Sequence, residues 1–100
     1  MSVSEPIEIL FLSQEDVMAV HLKMTDAMHI VDQALWEHGH GRAENPPKYG
    51  VHPVAGAFIH AMPAHIPRLR AAGLKWVSSF PGNARLGLPA VMGLMVVNDA

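Results

Sequence analysis

Apolar residues recur at helical spacing along residues 25–41, and this is the most regular pattern in the chain. The stripe consists of Ala27, Ile30, Val31, Ala34 and Leu35. Residues three and four apart share one face of a helix, so the stripe predicts an amphipathic helix that packs against a core. Thr25 is the expected N-cap, with Asp26 at the positive end of the helix dipole. Gly39 and Gly41 are expected to end the helix.

The segment before this helix predicts a strand and a short helix. Residues 1–6 are expected to form a loose leader, and residues 7–12 are an apolar run that predicts a first strand. Ser13 followed by Asp16 resembles a capping box, with aspartate in place of the usual Glu or Gln. A short helix from this point to about Leu22 is therefore expected.

After the long helix, two prolines in residues 44–47 break regular structure, and strands are predicted to follow. Residues 48–53 are expected to form an edge strand. Residues 54–62 predict a strand with Phe58, His60 and Met62 on one face, because side chains alternate along a strand. Residues 63–68 are predicted to form a loop.

The next predicted strand, in residues 72–80, carries one lysine within an otherwise apolar run. Alternation places Lys75 on one face and Trp76 on the other. The sequence P-G-N at residues 81–83 ends the strand in a turn. On a covered face the Lys75 ammonium needs an anion, either a carboxylate of this chain or part of a ligand. On a solvated face it needs none, and the pattern alone leaves both interpretations open.

The last predicted strand, residues 89–98, is apolar on both faces. Such a run indicates a central strand that is covered on both sides. Only two residues follow it, and a stable domain rarely ends at an uncovered central strand. We therefore expect the chain to be part of a longer protein, with a truncated reading frame as the alternative.

Composition limits the classes of partner. Half of the residues are hydrophobic and 16% are charged, which predicts an apolar face covered by another subunit or domain. The net charge of -2 does not suggest nucleic-acid binding. No apolar run is long enough to cross a bilayer, and the N-terminus lacks the features of a signal peptide. The expected location is cytoplasmic.

Few residues offer chemistry of their own. The seven histidines include no H-E-x-x-H pair and there is no cysteine, so a metal site is not expected. The chain has no G-x-S-x-G, no Walker loop and no G-x-G-x-x-G, so it shows no cofactor site. The cations Lys48, Lys75 and Arg85 lie on or beside predicted strand ends. They either converge to hold a carboxylate or are scattered surface charges.

Several segments, taken in order, resemble the N-terminal part of the ornithine cyclodeaminase/mu-crystallin family. They include A-L-W-E-H-G-H-G-R-A at residues 34–43, P-P-K at 46–48 and H-A-M-P at 60–63. The block at residues 72–83, A-G-L-K-W-V-S-S-F-P-G-N, is the most specific, and G-L-M-V-V-N-D closes the match at residues 93–99. The likeness covers nearly the whole chain.

The resemblance implies roles for three residues. Lys75 is expected to contact the substrate carboxylate, and Lys48 lies near a position where many members have an arginine that does the same. His60 is a further substrate-binding candidate, at a position where the ornithine-using branch has an acidic residue. This departure argues against ornithine as the substrate. The family's glycine-rich loop and catalytic aspartate belong to a Rossmann domain, so this chain is expected to hold no catalytic residue and to bind no cofactor alone.

The predicted fold class is α+β, with two N-terminal helices packed on a mixed, largely antiparallel sheet of four or five strands. Residues 1–100 are interpreted as an incomplete N-terminal substrate-binding and dimerisation domain. The resemblance implies an NAD- or NADP-dependent homodimeric enzyme acting on an amino acid or cyclic imine. Deamination-cyclisation, imine reduction and amino-acid dehydrogenation all remain open. The alternative is a non-catalytic small-molecule-binding or dimerisation module from that family.

Overall fold

The computed structural model describes residues 5–100, so most of the predicted leader lies outside the described residues. The chain forms two compact units, which meet in sequence between Ile30 and Val31. The first contains the short helix α1, Gln14–Met18, and the start of helix α2, Met24–Gly39. The second contains the rest of α2 and all four strands.

The predicted capping box begins α1. The Ser13 backbone N–H donates to Asp16 Oδ2 at 2.8 Å, and the Asp16 N–H donates to Ser13 Oγ at 3.2 Å. The backbone hydrogen bond from Ser13, assisted by its hydroxyl, lowers the pKa of Asp16. The helix ends at Met18, earlier than expected. The predicted strand in residues 7–12 is wrong, because this exposed segment pairs with no strand among the described residues.

Helix α2 is present as predicted, but it begins at Met24 and Thr25 is not its cap. Instead the Lys23 backbone N–H donates to Asp26 Oδ2 at 3.1 Å, so the acid occupies the free donor at the helix start. Gly39 is the last helical residue, and Gly41 adopts the left-handed φ of 71° that a glycine tolerates.

The four strands form one antiparallel sheet in sequence order. They are β1, Tyr49–Val51, β2, Phe58–Ile66, β3, Ala71–Ser79, and β4, Val91–Asp99. Every pairing between neighbours is antiparallel, which corrects the expectation of a mixed sheet. Short 3₁₀ turns, Pro67–Leu69 and Pro81–Leu86, join β2 to β3 and β3 to β4. The α+β class is confirmed.

Strand β2 begins later than predicted and continues to Ile66, so the loop predicted at residues 63–68 is wrong. Pro63 lies within the strand, opposite Leu74 of β3. Because the N–H of His65 bonds to Glu44 on the β1 side, alternation directs the Pro63 nitrogen to that side as well. The β1 ladder reaches only Ala61, so the proline removes no ladder hydrogen bond.

Strand β4 lies at the sheet edge, which corrects the prediction of a central strand covered on both sides. It pairs with β3 alone among the described residues. Its large apolar side chains are exposed, including Leu94 at 52% and Val97 at 69%. A continuous apolar run is typical of a strand buried on both faces, but residues 5–100 leave both faces of β4 exposed.

One buried carboxylate joins the end of α2 to the turn after β2. Glu37 is 2% exposed, and Arg42 Nε donates to its Oε2 at 2.5 Å. Arg68 Nε lies 3.5 Å from Oε1, which has no hydrogen-bond partner within the described residues. A buried charge without a partner is costly, so the pair with Arg42 is needed to keep Glu37 in place.

We expect Arg42→Met to lower the free energy of unfolding by about 2 to 3 kcal/mol. Breaking a buried pair costs roughly 3 to 5 kcal/mol, and the 49% exposure of Arg42 reduces that cost. Arg68→Met is the matched control, and its loss should stay below about 1 kcal/mol because Arg68 is 78% exposed. Urea denaturation measures both, and equal losses would contradict the assigned difference.

Candidate functional site

Lys75 lies at the middle of β3, directly between two methionines. The register places Met62 of β2 opposite it on one side and Met95 of β4 on the other. Directly opposed residues in antiparallel strands share a face, so all three side chains emerge from the same side of the sheet. Lys75 is exposed in the described chain. We call this side of the sheet the lysine face.

A shallow depression of about 220 Å³ adjoins Lys75. Gly73, two residues earlier on β3, forms part of its lining, together with apolar side chains such as Met62 and Val97. A Cβ at Gly73 would lie 2.6 Å from the Val96 carbonyl oxygen, so the backbones approach closely there. The depression can hold an apolar group beside the ammonium.

His60 lies on the lysine face as a diagonal neighbour of Lys75. It pairs with Val77, which is two residues from Lys75 along β3. Its ring stacks on Phe58, with ring centroids 4.0 Å apart and an interplanar angle of 18°. The ring also lies over Gly50 of β1, where a Cβ would be 2.4 Å from His60 Cδ2. These two contacts hold the imidazole in one position.

Lys48 precedes β1 by one residue. Since Tyr49 pairs with Ala61, extending the register by one step sets Lys48 opposite Met62, on the lysine face. Partial removal from water, followed by the charges of Lys48 and His52, lowers the pKa of His60. Lys48, Lys75 and His60 are therefore grouped around Met62.

The lysine face has a positive character at this group. Its acidic residue in β4, Asp99, is at the end of the strand and lies 3.6 Å from Arg70. Arg85, the third cation expected to converge, is in the turn Pro81–Leu86 and outside the strands. Among residues 5–100 no carboxylate is paired with Lys48 or Lys75, and such a cluster of cations is suited to an anion.

Two supporting residues were missed in the sequence. Gly50 and Phe58 position the His60 ring. A glycine within an edge strand often marks a close approach of another group, and this is the feature of the sequence that could have indicated Gly50. A polar pair was also missed on the opposite face, where His65 Nδ1 lies 2.9 Å from Glu44 Oε1. It was missed because residues 63–68 were predicted to be a loop.

Two larger depressions lie away from the lysine face. One of about 370 Å³ adjoins Trp36 and Glu37, and one of about 420 Å³ adjoins Glu44 and His65. Arg68 covers the Glu37 carboxylate in the first, and the polar pair in the second is partly solvated. Neither groups several cations as the lysine face does, so the lysine face is the better candidate site for an anion despite its smaller depression.

No group of three or more metal-ligating side chains is found in residues 5–100. No helix in the same range has the length and apolarity needed to cross a membrane.

The sequence profile of the ornithine cyclodeaminase/mu-crystallin family matches residues 7–100. The nodulation efficiency protein NfeD of Rhizobium meliloti is 46% identical over 91 residues. An alanine dehydrogenase of Archaeoglobus fulgidus is 44% identical over 93 residues. These alignments cover 91% and 93% of this chain but only 28% of each relative. The chain thus spans little more than a quarter of the length of these relatives.

Two solved structures are similar in fold. An archaeal alanine dehydrogenase dimer with bound NAD has a TM-score of 0.77 and 42% identity, over 86% of this chain and 26% of that chain. The Thermococcus litoralis Δ¹-pyrroline-2-carboxylate reductase, in complex with NADH and L-proline, has a TM-score of 0.72 and 29% identity. That match covers 78% of this chain and 24% of the reductase chain.

We expect Lys48→Gln to raise the pKa of His60 toward its ordinary value. Partial removal from water would still lower it, but one of the two positive charges that disfavour the imidazolium would be gone. The His60 ring signals in an NMR titration measure the change. Arg68→Gln, the same loss of charge beside Glu37 and away from the lysine face, is the control and should leave the pKa unmoved. A lower pKa in Lys48→Gln would contradict the placement of Lys48.

Proposed function

Because this chain belongs to the ornithine cyclodeaminase/mu-crystallin family, we propose that residues 1–100 are the N-terminal substrate-binding and dimerisation domain of an NAD(P)-dependent enzyme that acts on an amino acid or a cyclic imine. The observation that carries the proposal is the grouping of Lys75, Lys48 and His60 around Met62. The relatives of this chain that are named for such reactions, and that are several times its length, support it further.

In this proposal Lys75 holds the substrate carboxylate, assisted by Lys48. Both ammonium groups lie on the lysine face, on either side of Met62. Hydrogen bonds between an ammonium and a carboxylate are charge-assisted and stronger than neutral ones. Anchoring the carboxylate fixes the α-carbon relative to the reacting partner, so the contribution of Lys75 is positioning.

The lysine face favours a substrate without a second positive charge. A distal ammonium near His60 would meet the charges of Lys48 and His52, which already disfavour a proton on that imidazole. The depression beside Lys75 is apolar apart from the lysine and suits a small aliphatic group. The names of the similar proteins, alanine dehydrogenase and pyrroline-2-carboxylate reductase, support amino-acid dehydrogenation or imine reduction over deamination-cyclisation of ornithine.

The nicotinamide cofactor does not fit a site made of the described residues. A dinucleotide site requires parallel strands joined through a helix and a glycine-rich loop. In residues 5–100 both α-helices precede the sheet, and all strand pairs are antiparallel. NAD(P) accepts or donates the hydride in such an enzyme, and we assign no residue of this chain to its binding.

The apolar surface of the sheet supports a homodimer. Trp76 and Leu94 are directly opposed on the face away from Lys75, and both are about half exposed. Exposed apolar surface on this scale is typical of a subunit or domain interface. The similar alanine dehydrogenase is described as a dimer.

The intact mass of the protein isolated from its natural source tests the proposed domain organisation. We expect a mass about three times that of this chain, because the matched relatives are covered only to 28%. Such a mass would be followed by assays of NAD(P) reduction with L-alanine and L-proline. A mass equal to that of the 100-residue chain would contradict the enzyme and favour the non-catalytic module.

In the complete enzyme we expect Lys75→Met to raise KM for the amino acid tens- to hundreds-fold. Losing a hydrogen bond to a charged group costs about 1.5 to 3 kcal/mol, and the anchor of the carboxylate is lost in both ground and transition states. Steady-state kinetics with L-alanine or L-proline measure the change. Arg68→Met, beside Glu37 and away from the lysine face, is the matched control and should retain the native KM. An unchanged KM in Lys75→Met would exclude the carboxylate role.

A further inference from the structure

We infer that His60 is a catalytic base that takes a proton from the substrate's amino group. The inference rests on the proposed function, because it assumes that the carboxylate of an amino acid is held at Lys75. It assigns this sheet a part in the chemistry as well as in binding. Three features of the lysine face carry it: the placement of His60, the fixation of its ring and the charges around it.

The placement of His60 matches the shape of an α-amino acid. Diagonal neighbours on one sheet face have Cα atoms roughly 7 to 8 Å apart, within reach of long and aromatic side chains. His60 and Lys75 are such neighbours. The carboxylate and the amino group of an amino acid are borne on adjacent carbons. One molecule can therefore bridge the two side chains through hydrogen bonds of about 2.9 Å at each end.

The ring of His60 is fixed but its nitrogens are not engaged. Stacking on Phe58 and the contact with Gly50 set its orientation. Within residues 5–100 these packing contacts are not accompanied by a hydrogen bond to either ring nitrogen. A structural histidine is normally satisfied by a partner, and this one retains both nitrogens for a ligand.

Partial removal from water and the surrounding charges disfavour a proton on the imidazole. Lys48 and His52 face it from the β1 side, Lys75 lies diagonally on β3, and Phe58 and Met62 flank it on its own strand. Partial removal from water and the charges of Lys48 and His52 lower the pKa of His60. A neutral imidazole has a lone pair and can accept a proton at pH 7, whereas an imidazolium cannot.

The step is a proton transfer that balances by itself. An N–H bond of the substrate ammonium breaks, its electron pair stays on the nitrogen, and the proton moves to an imidazole nitrogen of His60. The ammonium becomes a neutral amine and the imidazole becomes an imidazolium. Only the amine has the lone pair from which a C=N bond can form when the α-carbon is oxidised, and the nicotinamide cofactor would supply the hydride acceptor. In imine reduction His60 returns the proton to the new amine.

The test compares His60→Asn and His60→Gln with the unaltered complete enzyme, in the oxidation of L-alanine or L-proline with NAD(P)⁺. Both variants can form hydrogen bonds but cannot take a proton near neutral pH. We expect kcat to fall about 100-fold or more, the range for loss of a general base, with KM within about three-fold. The acidic limb of the kcat/KM pH profile, set by a pKa below the ordinary histidine value, should disappear.

A cofactor-free readout separates the base from a binding role. Calorimetry of L-alanine or L-proline binding without NAD(P) should give a Kd for His60→Asn within about three-fold of the native value. His65→Asn is the matched control, since His65 lies on the opposite face of the same strand, where its ring contacts Glu44. It should retain most of kcat and keep the acidic limb.

Each other outcome overturns the inference in a distinct way. Unchanged kcat in both His60 variants, or a retained acidic limb, excludes the base. A weakened Kd with unchanged kcat makes His60 a binding residue only. If the two variants also melt at a lower temperature in proportion to their lost activity, His60 is structural. An unaltered enzyme that oxidises neither amino acid, with no effect of Lys75→Met on binding, removes the proposed function itself.

Discussion

The antiparallel register of β2, β3 and β4 is the constraint on which the candidate site depends. It sets Met62, Lys75 and Met95 in one row and His60 and Val77 in the next. Because side chains alternate with a period of two, a slip of one residue would move Lys75 to the opposite face. The close approach at Gly73 supports the register, since a Cβ there would meet the Val96 carbonyl oxygen at 2.6 Å. Backbone pairing therefore decides which charges meet.

The same sheet leaves much apolar surface without cover, and this affects how its stability is understood. Only Ala57 and Glu37 are buried among the described residues, while Leu94 and Trp76 are about half exposed. Burial of apolar area is the main source of folding free energy, so the ladder hydrogen bonds alone do not explain a stable domain. Burial of these exposed side chains in an interface with another subunit or domain would add to the free energy of unfolding. The stability of the sheet, and with it the geometry of the candidate site, would then depend on that interface.

The sequence predicted elements whose cause is local and failed where the cause is distant. Helical spacing gave α2, and alternation placed Phe58, His60 and Met62 on one face. The strand predicted in residues 54–62 ends too early because proline normally breaks a strand. Pro63 fits within β2 only because the short β1 does not extend far enough to need its N–H. The central position expected for β4 was wrong, because β4 pairs with β3 alone among the described residues. The buried Glu37 was missed although Arg42, its main partner, is only five residues away, because burial of the pair depends on the turn after β2, where Arg68 lies.

Repulsion between Lys48, Lys75 and a protonated His60 on the lysine face makes the sheet less stable when no ligand is bound. Lys48 and His52 each make a proton on His60 less favourable, so the arrangement contributes no stability by itself. A carboxylate bound between Lys75 and Lys48 would offset the repulsion between their two ammonium groups. The charges that disfavour the free sheet are therefore the charges that favour binding of an anion to it.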